Sequence, residues 1–323
     1  MRRPKIDPVV WQPSKVERRP VKDTLPPLTV LQVNGHSTED VLVDKGHVYT
    51  GVDDGRILRL TPDGRRLDTV ADTGGRPLGL ELYPDGRLVV CDSKRGLLLV
   101  DRTSGQVEVL VERTDVRVCN NAAVAADGTI YFTDSTNRFD LEDWKADLFE
   151  HAGTGRLLRR SPDGSVDVLH DGLHFANGVA LSADESFVVV AQTGAYQLDR
   201  VWLTGDRPPE MFAGGLPGFP DNIARGSDGL IWIAMASPRV LALDILSRLH
   251  PTLRKVAWAL PEQVQPQEKK VVWVRALDES GKIVHDFYGT HPRFHLVTGV
   301  REAEGTVYLG SLQERAIAYF DLP

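Results

Sequence analysis

The chain has 323 residues, of which 41% are hydrophobic and 26% charged, and its formal net charge is −7. Acidic and basic residues are mixed along the chain, without the basic run that a protein binding phosphate backbones would need. No apolar stretch approaches the roughly 18 residues that are required to span a bilayer. Composition and charge therefore exclude nucleic-acid binding and a transmembrane segment, and they predict a soluble protein with a sizeable core.

The N-terminal segment and the two cysteines indicate where the protein is located. Residues 1–27 are rich in proline and begin with basic residues, but they lack the apolar core of about 7–15 residues that a signal peptide contains. Cys91 and Cys119 could form one disulfide, although a chain of this length does not need one. We therefore expect reduced thiols in a cytoplasmic protein whose residues 1–27 form an arm over the outside of the domain.

One sequence unit recurs along the rest of the chain: a short apolar stretch, an acidic residue or lysine that is usually followed by glycine, and a β-rich run. Asp-Gly turns between apolar runs are typical of β-hairpins. The six copies are VLVDKGHVYTG (41–51), LGLELYPDGRLVVCD (78–92), AAVAADGTIYFTD (122–134), GVALSADESFVVVA (178–191), NIARGSDGLIWIAM (222–235) and GVREAEGTVYLGS (299–311). A second hairpin usually follows each copy, so each unit predicts a four-stranded antiparallel sheet.

Six such sheets in succession predict a single all-β domain over residues 28–323, a six-bladed β-propeller with four-stranded antiparallel blades. Two packed β-sandwiches are the alternative, but that architecture does not naturally repeat one turn six times. Closing the ring requires one terminus to complete the blade begun at the other, because an open sheet edge would otherwise remain. We expect Leu28–Val33 to pair beside Ala316–Leu322 for this purpose.

Two intervals between turns are longer than the others, and their extra residues suit a cover over the ring. Residues 135–155 are polar and aromatic, and we expect a lid loop over one mouth there. Residues 240–267, an insertion expected between blades 5 and 6, carry apolar residues at helical spacing, with Pro251 where a second helix could begin. This helical cap either packs on the propeller or presents a face to a membrane surface or a partner.

Four oxygen-bearing side chains share one position when the repeats are aligned on their turns. They stand six or seven residues before the turn residue and are Glu39, Asn120, Asn177 and Asp221. Since the innermost strand of every blade runs along the central channel, these side chains should converge at one point. In the other two blades the equivalent residues are Leu78 and Val297, so the fold does not require a polar residue there.

Two carboxylates and two amide oxygens favour a hard cation, and we expect one divalent cation at the centre, Ca²⁺ first, with Mg²⁺, Mn²⁺ or Zn²⁺ as alternatives. Four protein ligands would leave positions for water and substrate, as in sites where a cation polarises a carbonyl or phosphoryl oxygen. The neighbouring Asn121 and Asn222 could add a ligand or hold the others by hydrogen bonds. Any one of these residues, taken alone, could instead cap a turn.

Several segments carry the features of one protein family: STEDVLVD (37–44), NNAAVAADGTIYFTDST (120–136), HAGTGRLLRRSPDG (151–164), GLHFANGVALSADESFVVVAQTG (172–194), VWLTG (201–205) and LPGFPDNI (216–223). In these segments the chain is similar to the strictosidine synthase-like group. That group is related to the senescence marker protein/gluconolactonase family and, more distantly, to the paraoxonases. The resemblance extends from residue 28 to the C terminus and implies a six-bladed propeller.

Metal-dependent hydrolases of that superfamily hold one divalent cation, usually Ca²⁺, with a Glu, two Asn and an Asp. By resemblance, the matching residues are Glu39 of STED, Asn120 of CNNA, Asn177 of FANG and Asp221 of PDN. The resemblance also implies that Asp221 is the general base. Asn121 departs from the group, in which Asp usually follows the metal-binding Asn. Plant strictosidine synthases instead condense an amine with an aldehyde without metal, using a Glu that has no clear match in residues 292–305.

Further candidate residues lie near the expected mouth of the ring. Histidine is the commonest acid or base near neutral pH, and we expect His36 and His295 to take part in catalysis beside Asp221. The expected substrate pocket is apolar and contains Phe139, Trp144, His174, Phe175, Tyr196 and Phe219. Each of these histidines and aromatic residues could also have a purely structural role.

These observations predict a divalent-cation-dependent hydrolase whose substrate is a small molecule, a lactone or a related ester. One alternative is a non-enzymatic propeller that binds a ligand or a protein and in which the metal only ties the blades together. Another is an amine-aldehyde condensing enzyme of the strictosidine synthase type. The hydrolase predicts hydrolysis that depends on metal and on Asp221. The binding propeller predicts a lower melting temperature on metal removal without hydrolysis, and the condensing enzyme predicts metal-independent consumption of an amine and an aldehyde.

Overall fold

The computed structural model describes residues 3–17, 20, 23–61, 63–265 and 267–323. Within these residues, twenty-four strands form six antiparallel sheets of four strands each. The innermost strands of neighbouring sheets contact one another all the way round a central axis. The predicted six-bladed β-propeller with four-stranded antiparallel blades is therefore confirmed.

Strand β1 (Thr29–Gln32) precedes the first blade. Blade 1 contains β2 (Leu42–Asp44), β3 (His47–Gly51), β4 (Arg56–Leu60) and β5 (Leu67–Asp72). Blade 2 contains β6 (Pro77–Leu82), β7 (Leu88–Asp92), β8 (Gly96–Val100) and β9 (Val107–Glu112). Blade 3 contains β10 (Cys119–Val124), β11 (Ile130–Asp134), β12 (Gly155–Arg160) and β13 (Val166–Leu173).

Blade 4 contains β14 (Ala176–Leu181), β15 (Phe187–Gln192), β16 (Gln197–Trp202) and β17 (Glu210–Ala213). Blade 5 contains β18 (Gly218–Arg225), β19 (Ile231–Pro238), β20 (Val272–Leu277) and β21 (Ile283–Gly289). Blade 6 contains β22 (Val297–Ala303), β23 (Thr306–Ser311), β24 (Ala316–Asp321) and, as its outer strand, β1. Thr29 is paired with Tyr319 and Gln32 with Ala316, which confirms the predicted ring closure.

The inner hairpins differ in the length of their turns. In blades 1 and 6 two residues connect the strands, Lys45-Gly46 and Glu304-Gly305, and both residues of each turn have positive φ. This geometry matches the twist of paired strands. In blade 2 the connection between the paired Leu82 and Leu88 is longer. A shorter turn reduces by one the number of residues between the turn and the residue that faces the centre. Repeats that are aligned on their turns are therefore one residue out of register in blades with a short turn.

Apolar clusters fill the spaces between neighbouring blades, as expected for strands that are covered on both faces. All five residues of β8 are buried, and so are Trp232 of β19 and Trp273 of β20. Cys91 and Cys119 belong to one such cluster between blades 2 and 3 and do not form a disulfide. The blades are thus held together mainly by aliphatic and aromatic packing.

The lid segment predicted as a loop, residues 135–155, contains a helix. A 3₁₀ turn (Leu141–Asp143) leads into helix α1 (Trp144–Glu150). Ala146 and Phe149 of α1 are buried in a cluster with Trp258 of the cap. The periodicity of the sequence missed this helix because seven residues are too few to show a helical pattern.

The predicted helical cap is present as α2 (Leu241–Arg248), α3 (Pro251–Ala259) and a 3₁₀ turn (Glu262–Val264). Pro251 is the first residue of α3, as predicted. Strand order places the insertion inside blade 5, between β19 and β20. The apolar stripe that predicted the helices faces solvent, since Leu241, Ile245 and Val256 are at least half exposed.

The N-terminal arm joins the lid to the cap. The backbone N–H of Val9 donates to Glu150 O of α1 at 2.9 Å, and that of Trp11 donates to Ser247 O of α2 at 3.1 Å. The buried Arg254 of α3 donates to Phe149 O at 3.0 Å and also to Val9 O. The described arm residues therefore lie against the cover of the ring. In the described part of the chain, every helix is too short or too polar to cross a bilayer.

Candidate metal and active site

One residue from each blade, near the same end of its innermost strand, lines a single cavity at the axis. In order of the blades, these residues are Glu39, Leu78, Asn120, Asn177, Asp221 and Thr298. The four oxygen-bearing residues singled out in the sequence are thus brought together. The structure differs from the sequence alignment in blade 6, where Thr298 rather than Val297 occupies the register, because the two-residue turn at Glu304-Gly305 shortens the count.

The two asparagines of this layer present their carbonyl oxygens without a partner. Asn120 Nδ2 lies 3.0 Å from Ser135 Oγ, and Asn177 Nδ2 lies 3.1 Å from Thr193 Oγ1. These contacts fix the orientation of each amide. Asn120 Oδ1 and Asn177 Oδ1 are buried, and neither has a hydrogen-bond partner among the described residues. Buried carbonyl oxygens that lack donors are suited to bind a cation.

The two carboxylates of the layer are destabilised as anions. Burial, with the nearby carboxylates of Asp221 and Asp40, raises the pKa of Glu39 well above its ordinary value, although Arg76 acts against this. Burial raises the pKa of Asp221 to about 7. A divalent cation between these groups would offset the repulsion and favour both anions.

We refer to the six cavity residues, one from each blade, as the ligand layer. The residues that directly follow them in the sequence alternate around the ring between a polar residue and glycine. The six are Asp40, Gly79, Asn121, Gly178, Asn222 and Gly299. A Cβ on Gly178 would lie 2.6 Å from the Asn222 backbone, and one on Gly79 would lie 2.7 Å from Asn121 Cα. The axis therefore has room for a side chain at this level only in every second blade.

The polar residues of this second layer tie the blades together. Asp40 Oδ2 of blade 1 accepts from Leu80 N of blade 2 at 3.0 Å and from Asn121 Nδ2 at 3.3 Å. Asn121 Oδ1 of blade 3 accepts from Val179 N of blade 4 at 3.0 Å. Asn222 differs, because its Nδ2 donates to Glu39 Oε2 at 3.1 Å and so holds a carboxylate of the ligand layer. Sequence reasoning missed Asp40, whose only signal is its place directly after Glu39.

The predicted pocket residues divide into two groups. Trp144, Phe175 and Phe219 line the cavity. The other three, Phe139, His174 and Tyr196, are absent from the described lining. Phe139 packs in the cluster beneath the lid, His174 stacks on His151 with ring centroids 3.8 Å apart, and the Tyr196 hydroxyl donates to Asp244 Oδ1 at 2.9 Å.

The structure does not bring His36 and His295 into the lining of the cavity. His36 Nδ1 lies 3.2 Å from Asp53 Oδ2 on the surface. His295 Nδ1 lies 2.5 Å from Glu314 Oε1, and its Nε2 lies 3.2 Å from Gln313 Oε1. Both rings are thus engaged with neighbouring side chains, which leaves Asp221 as the predicted catalytic residue that faces the cavity.

The donor set at the centre fits a hard cation. It combines the carboxylates of Glu39 and Asp221 with the amide oxygens of Asn120 and Asn177, and it contains no thiol or imidazole. The amides are essential to it, since the described residues hold no group of three or more His, Cys, Asp or Glu side chains that could bind a metal on their own. This composition favours Ca²⁺ over Zn²⁺.

Comparisons with known proteins support the family resemblance. A family model described as strictosidine synthase matches residues 120–206, and one described as strictosidine synthase-like, N-terminal, matches residues 27–60. Protein strictosidine synthase-like 6 of Arabidopsis thaliana is 34% identical over 298 residues, covering 89% of this chain and 79% of the relative. The adipocyte plasma membrane-associated protein of Homo sapiens is 32% identical over 298 residues, covering 82% of this chain and 70% of the relative.

Solved structures share the fold at lower identity. A gluconolactonase from Xanthomonas campestris superimposes with a TM-score of 0.67 at 21% identity, covering 92% of this chain and 89% of its own. A calcium-binding protein, regucalcin, from Agrobacterium tumefaciens has a TM-score of 0.63 at 14% identity, covering 90% and 95%. These matches show that the propeller architecture is common to both.

Proposed function

The chain belongs to the strictosidine synthase-like family, and we propose that it is a divalent-cation-dependent hydrolase of a lactone or related ester. The observation that carries the proposal is the pair of buried, unpartnered amide oxygens of Asn120 and Asn177 beside the carboxylates of Glu39 and Asp221. All four line the same cavity. The fold shared with a gluconolactonase and with a calcium-binding protein is consistent with this chemistry.

Glu39, Asn120, Asn177 and Asp221 would hold the cation, for which Ca²⁺ is the first choice. When bound, it would polarise the carbonyl of the substrate and stabilise the negative charge that develops during attack by water. Ser135 and Thr193 orient the two amides through their side-chain nitrogens, and Asn222 orients Glu39. These contacts fix the geometry before substrate arrives, which limits the reorganisation that catalysis requires.

Asp221 is our proposed general base. Its carboxylate faces the cavity, and a carboxylate placed in this way can accept a proton from the attacking water. Asn177 lies within hydrogen-bond reach of the carboxylate and favours its charged form. The lid and the cap cover the cavity and reduce the access of bulk water to the reacting group.

The test is an assay of lactones and aryl esters with and without a chelator, on wild type and Asp221→Ala. We expect hydrolysis that chelation abolishes and Ca²⁺ restores, and a loss of about 10²–10³-fold in the variant. Asp184→Ala, in an exposed turn of blade 4, is the control and should keep full activity. Hydrolysis that is indifferent to both chelator and Asp221→Ala would contradict the proposal.

Two other results would identify the alternatives. A cation that raises the melting temperature while no ester is hydrolysed would indicate a binding propeller with a structural metal. Metal-independent consumption of an amine together with an aldehyde would indicate a condensing enzyme. Each of these outcomes is measured on the same purified chain.

A further inference from the structure

The walls of the central cavity are apolar, whereas its floor is formed by the oxygen donors of Glu39, Asn120, Asn177 and Asp221. Above the oxygen donors, the lid contributes Leu141, Trp144 and Leu148, and the cap contributes Val240 and Leu243. Aromatic rings from the blades complete the wall. A substrate whose carbonyl lies at the floor must therefore place the rest of its structure against hydrocarbon.

The few hydroxyl groups in the lining are already engaged within the protein. Thr193 Oγ1 donates to Pro220 O at 2.7 Å, Thr298 Oγ1 donates to Glu39 O at 2.8 Å, and Ser237 Oγ donates to Pro238 O at 3.2 Å. At the mouth, Lys145 Nζ lies 3.1 Å from Glu268 Oε1. The walls thus offer little to a substrate that carries several hydroxyl groups.

We propose that the substrate is a lactone or ester with an apolar alkyl or aryl substituent, rather than a polyhydroxylated sugar lactone. This inference rests on the proposed hydrolase function and specifies its substrate class. Each substrate hydroxyl buried against these walls would lose its hydrogen bonds to water without replacement, which costs about 1–3 kcal/mol. Each methylene would gain up to about 0.8 kcal/mol by leaving water.

A homologous series tests the proposal: γ-lactones with unbranched alkyl substituents of increasing length, compared with gluconolactone. We expect kcat/KM to rise about two- to fourfold per methylene until the cavity is filled, and to be at least 10²-fold lower for gluconolactone. A preference for gluconolactone, or no dependence on alkyl length, would overturn the proposal.

A pair of variants on helix α2 locates the effect. Leu243→Asn places a polar group in the cavity wall and should reduce the gain per methylene. Ile245→Asn, two residues along the same helix, lies at a half-exposed position and should leave the series unchanged. Equal behaviour of the two variants would contradict the assignment of the cavity wall as the substituent site.

A binding measurement separates failure of this inference from failure of the proposed function. Alkyl-substituted tetrahydrofurans resemble the lactones but have no carbonyl to hydrolyse, and Trp144 in the wall should report their binding by fluorescence. If no ester is hydrolysed but affinity still rises with alkyl length, the hydrolase proposal fails and the apolar site stands. If affinity does not depend on alkyl length, the apolar site fails as well.

A separate observation concerns the outer face of the cap. We define the cap face by seven exposed aliphatic residues: Leu241, Ile245, Leu249, Leu253, Val256, Leu260 and Val264. Their exposed fractions run from 41% for Leu249 to 71% for Leu241, with Val264 at 65%. Val9 and Val10 of the arm, next to the cap, are also half exposed. Aliphatic side chains grouped in this way indicate an interaction surface rather than scattered surface residues.

Two basic side chains, Arg248 and Lys255, stand beside the aliphatic residues of this cap face in a chain whose net charge is −7. Arg248 ends α2, and Lys255 projects from α3, where it pairs with Asp7 of the arm at 2.8 Å. The acidic residue of α2, Asp244, is turned inward to the Tyr196 hydroxyl. Aliphatic residues flanked by basic ones on helices are typical of segments that lie in the plane of an anionic membrane surface.

We infer that the cap face docks on an anionic lipid surface. A protein partner is less well supported, because protein interfaces concentrate their binding energy in Trp, Tyr and Arg, whereas the aromatic Trp258 of the cap is buried against Phe149. The inference does not depend on which reaction the cavity supports.

Co-sedimentation with vesicles tests the docking surface. We expect binding to phosphatidylcholine vesicles containing 20% phosphatidylserine, weaker binding to pure phosphatidylcholine, and at least a tenfold loss in Ile245→Ser/Val256→Ser. Met211→Ser, at an exposed apolar position in blade 4, is the control and should bind like wild type. Absence of vesicle binding would overturn the inference. So would a dimer in light scattering that only the cap variant dissociates, since a second copy would then cover the face.

Discussion

The side chains at the axis come from strands at one repeated register, whereas the cover over the mouth is built from three segments that each occur once. At the axis, every blade contributes one residue at the repeated register to the floor of the cavity and the next residue to the second layer. In the cover, the arm, α1 and the cap contact one another through bonds such as Arg254 to Phe149 O. The positions of the side chains at the axis are thus set by the repeated fold, whereas the positions of the segments in the cover depend on contacts specific to this chain.

This difference separates two properties of the molecule. Residues at the axis can set which atoms are held and how charge is stabilised, because their positions are fixed by strand pairing on both sides. Residues in the cover set which substituents fit, because they form the walls. Variants in the two regions should therefore affect different quantities, and the following predictions go from the largest expected effect to the smallest.

Glu39→Gln should have the largest effect, because it removes one of the two negative charges of the ligand layer while keeping its size. We expect a loss of about 10²–10³-fold in cation-dependent kcat. Glu268→Gln, the matched change in the cover, should alter kcat less than threefold. Steady-state kinetics at fixed Ca²⁺ measure both, and equal losses would show that the two regions are not separate.

Gly178→Ala tests the tight packing of the axis. The added Cβ would lie 2.6 Å from the Asn222 backbone, so neighbouring blades must move apart, at a cost of about 2–3 kcal/mol in the free energy of unfolding. Gly229→Ala, at a turn with φ of +80° and open space around it, should cost about 1 kcal/mol. Urea unfolding compares them, and a smaller loss at Gly178 would contradict the alternation of polar residue and glycine.

Asn222→Ala removes the donor that holds Glu39 Oε2. Loss of a group that orients a metal ligand typically costs 10–100-fold in metal affinity, and we expect a decrease in that range by calorimetric titration with Ca²⁺. Asn121→Ala should instead lower the melting temperature without a comparable loss of affinity, because its side chain bonds blades to one another. The reverse pattern would show that these two roles are assigned wrongly.

The cover should respond to pH through His151. Burial, with the nearby His174 and Arg254, lowers the pKa of His151 to about 2, so the folded state keeps this ring neutral while the unfolded chain protonates it below about pH 6.5. This contribution to stability is present above pH 6.5 and is lost as pH falls from there toward 2, by at most about 1.4 kcal/mol per pH unit.

The check is the melting temperature of wild type between pH 7 and 5, compared with His151→Asn, since Asn accepts the positive φ of +58° found there. We expect a steeper decline in wild type. His250→Asn, at an exposed helix cap of α3, is the control. Parallel curves for wild type and His151→Asn would contradict the prediction.

The ion pair between Lys145 and Glu268 should have the smallest effect. Both side chains are partly exposed, and such pairs contribute about 0–1 kcal/mol. Lys145→Met should therefore change KM less than about fivefold and leave kcat and the melting temperature close to wild type. A larger change in kcat would mean that Lys145, at the mouth of the cavity, contributes to the reaction at the oxygen donors of its floor.

The same division explains what the sequence predicts well. Blade number, ring closure and the four oxygen donors follow from one turn repeated six times, because strand pairing converts equal spacing into equal position. The alignment is wrong at Val297, where a two-residue turn changes the count and Thr298 takes the place. The length of each turn depends on its own residues and cannot be predicted from the spacing of the repeats.

In the cover, the sequence predicts the cap helices but neither helix α1 nor the contacts between the segments, and the reason is physical. Its helices pack through contacts between segments far apart in the chain, such as Trp258 with Phe149 and Trp11 with His151. None of these pairs has a counterpart in another repeat that could reveal it. Of the residues predicted for the pocket, Trp144, Phe175 and Phe219 accordingly line the cavity, and the others pack beside it.

Pairing of β1 with β24 also has a consequence for the order of synthesis. Thr29 leaves the ribosome long before its partner Tyr319 is made. At a translation rate of about 5–20 residues per second, strand β1 remains without its partner for some tens of seconds. During that time the blades can form one by one, but the ring stays open until β24 of blade 6 pairs with β1. The single cavity that Glu39 of blade 1 and Asp221 of blade 5 line together is therefore complete only at the end of folding.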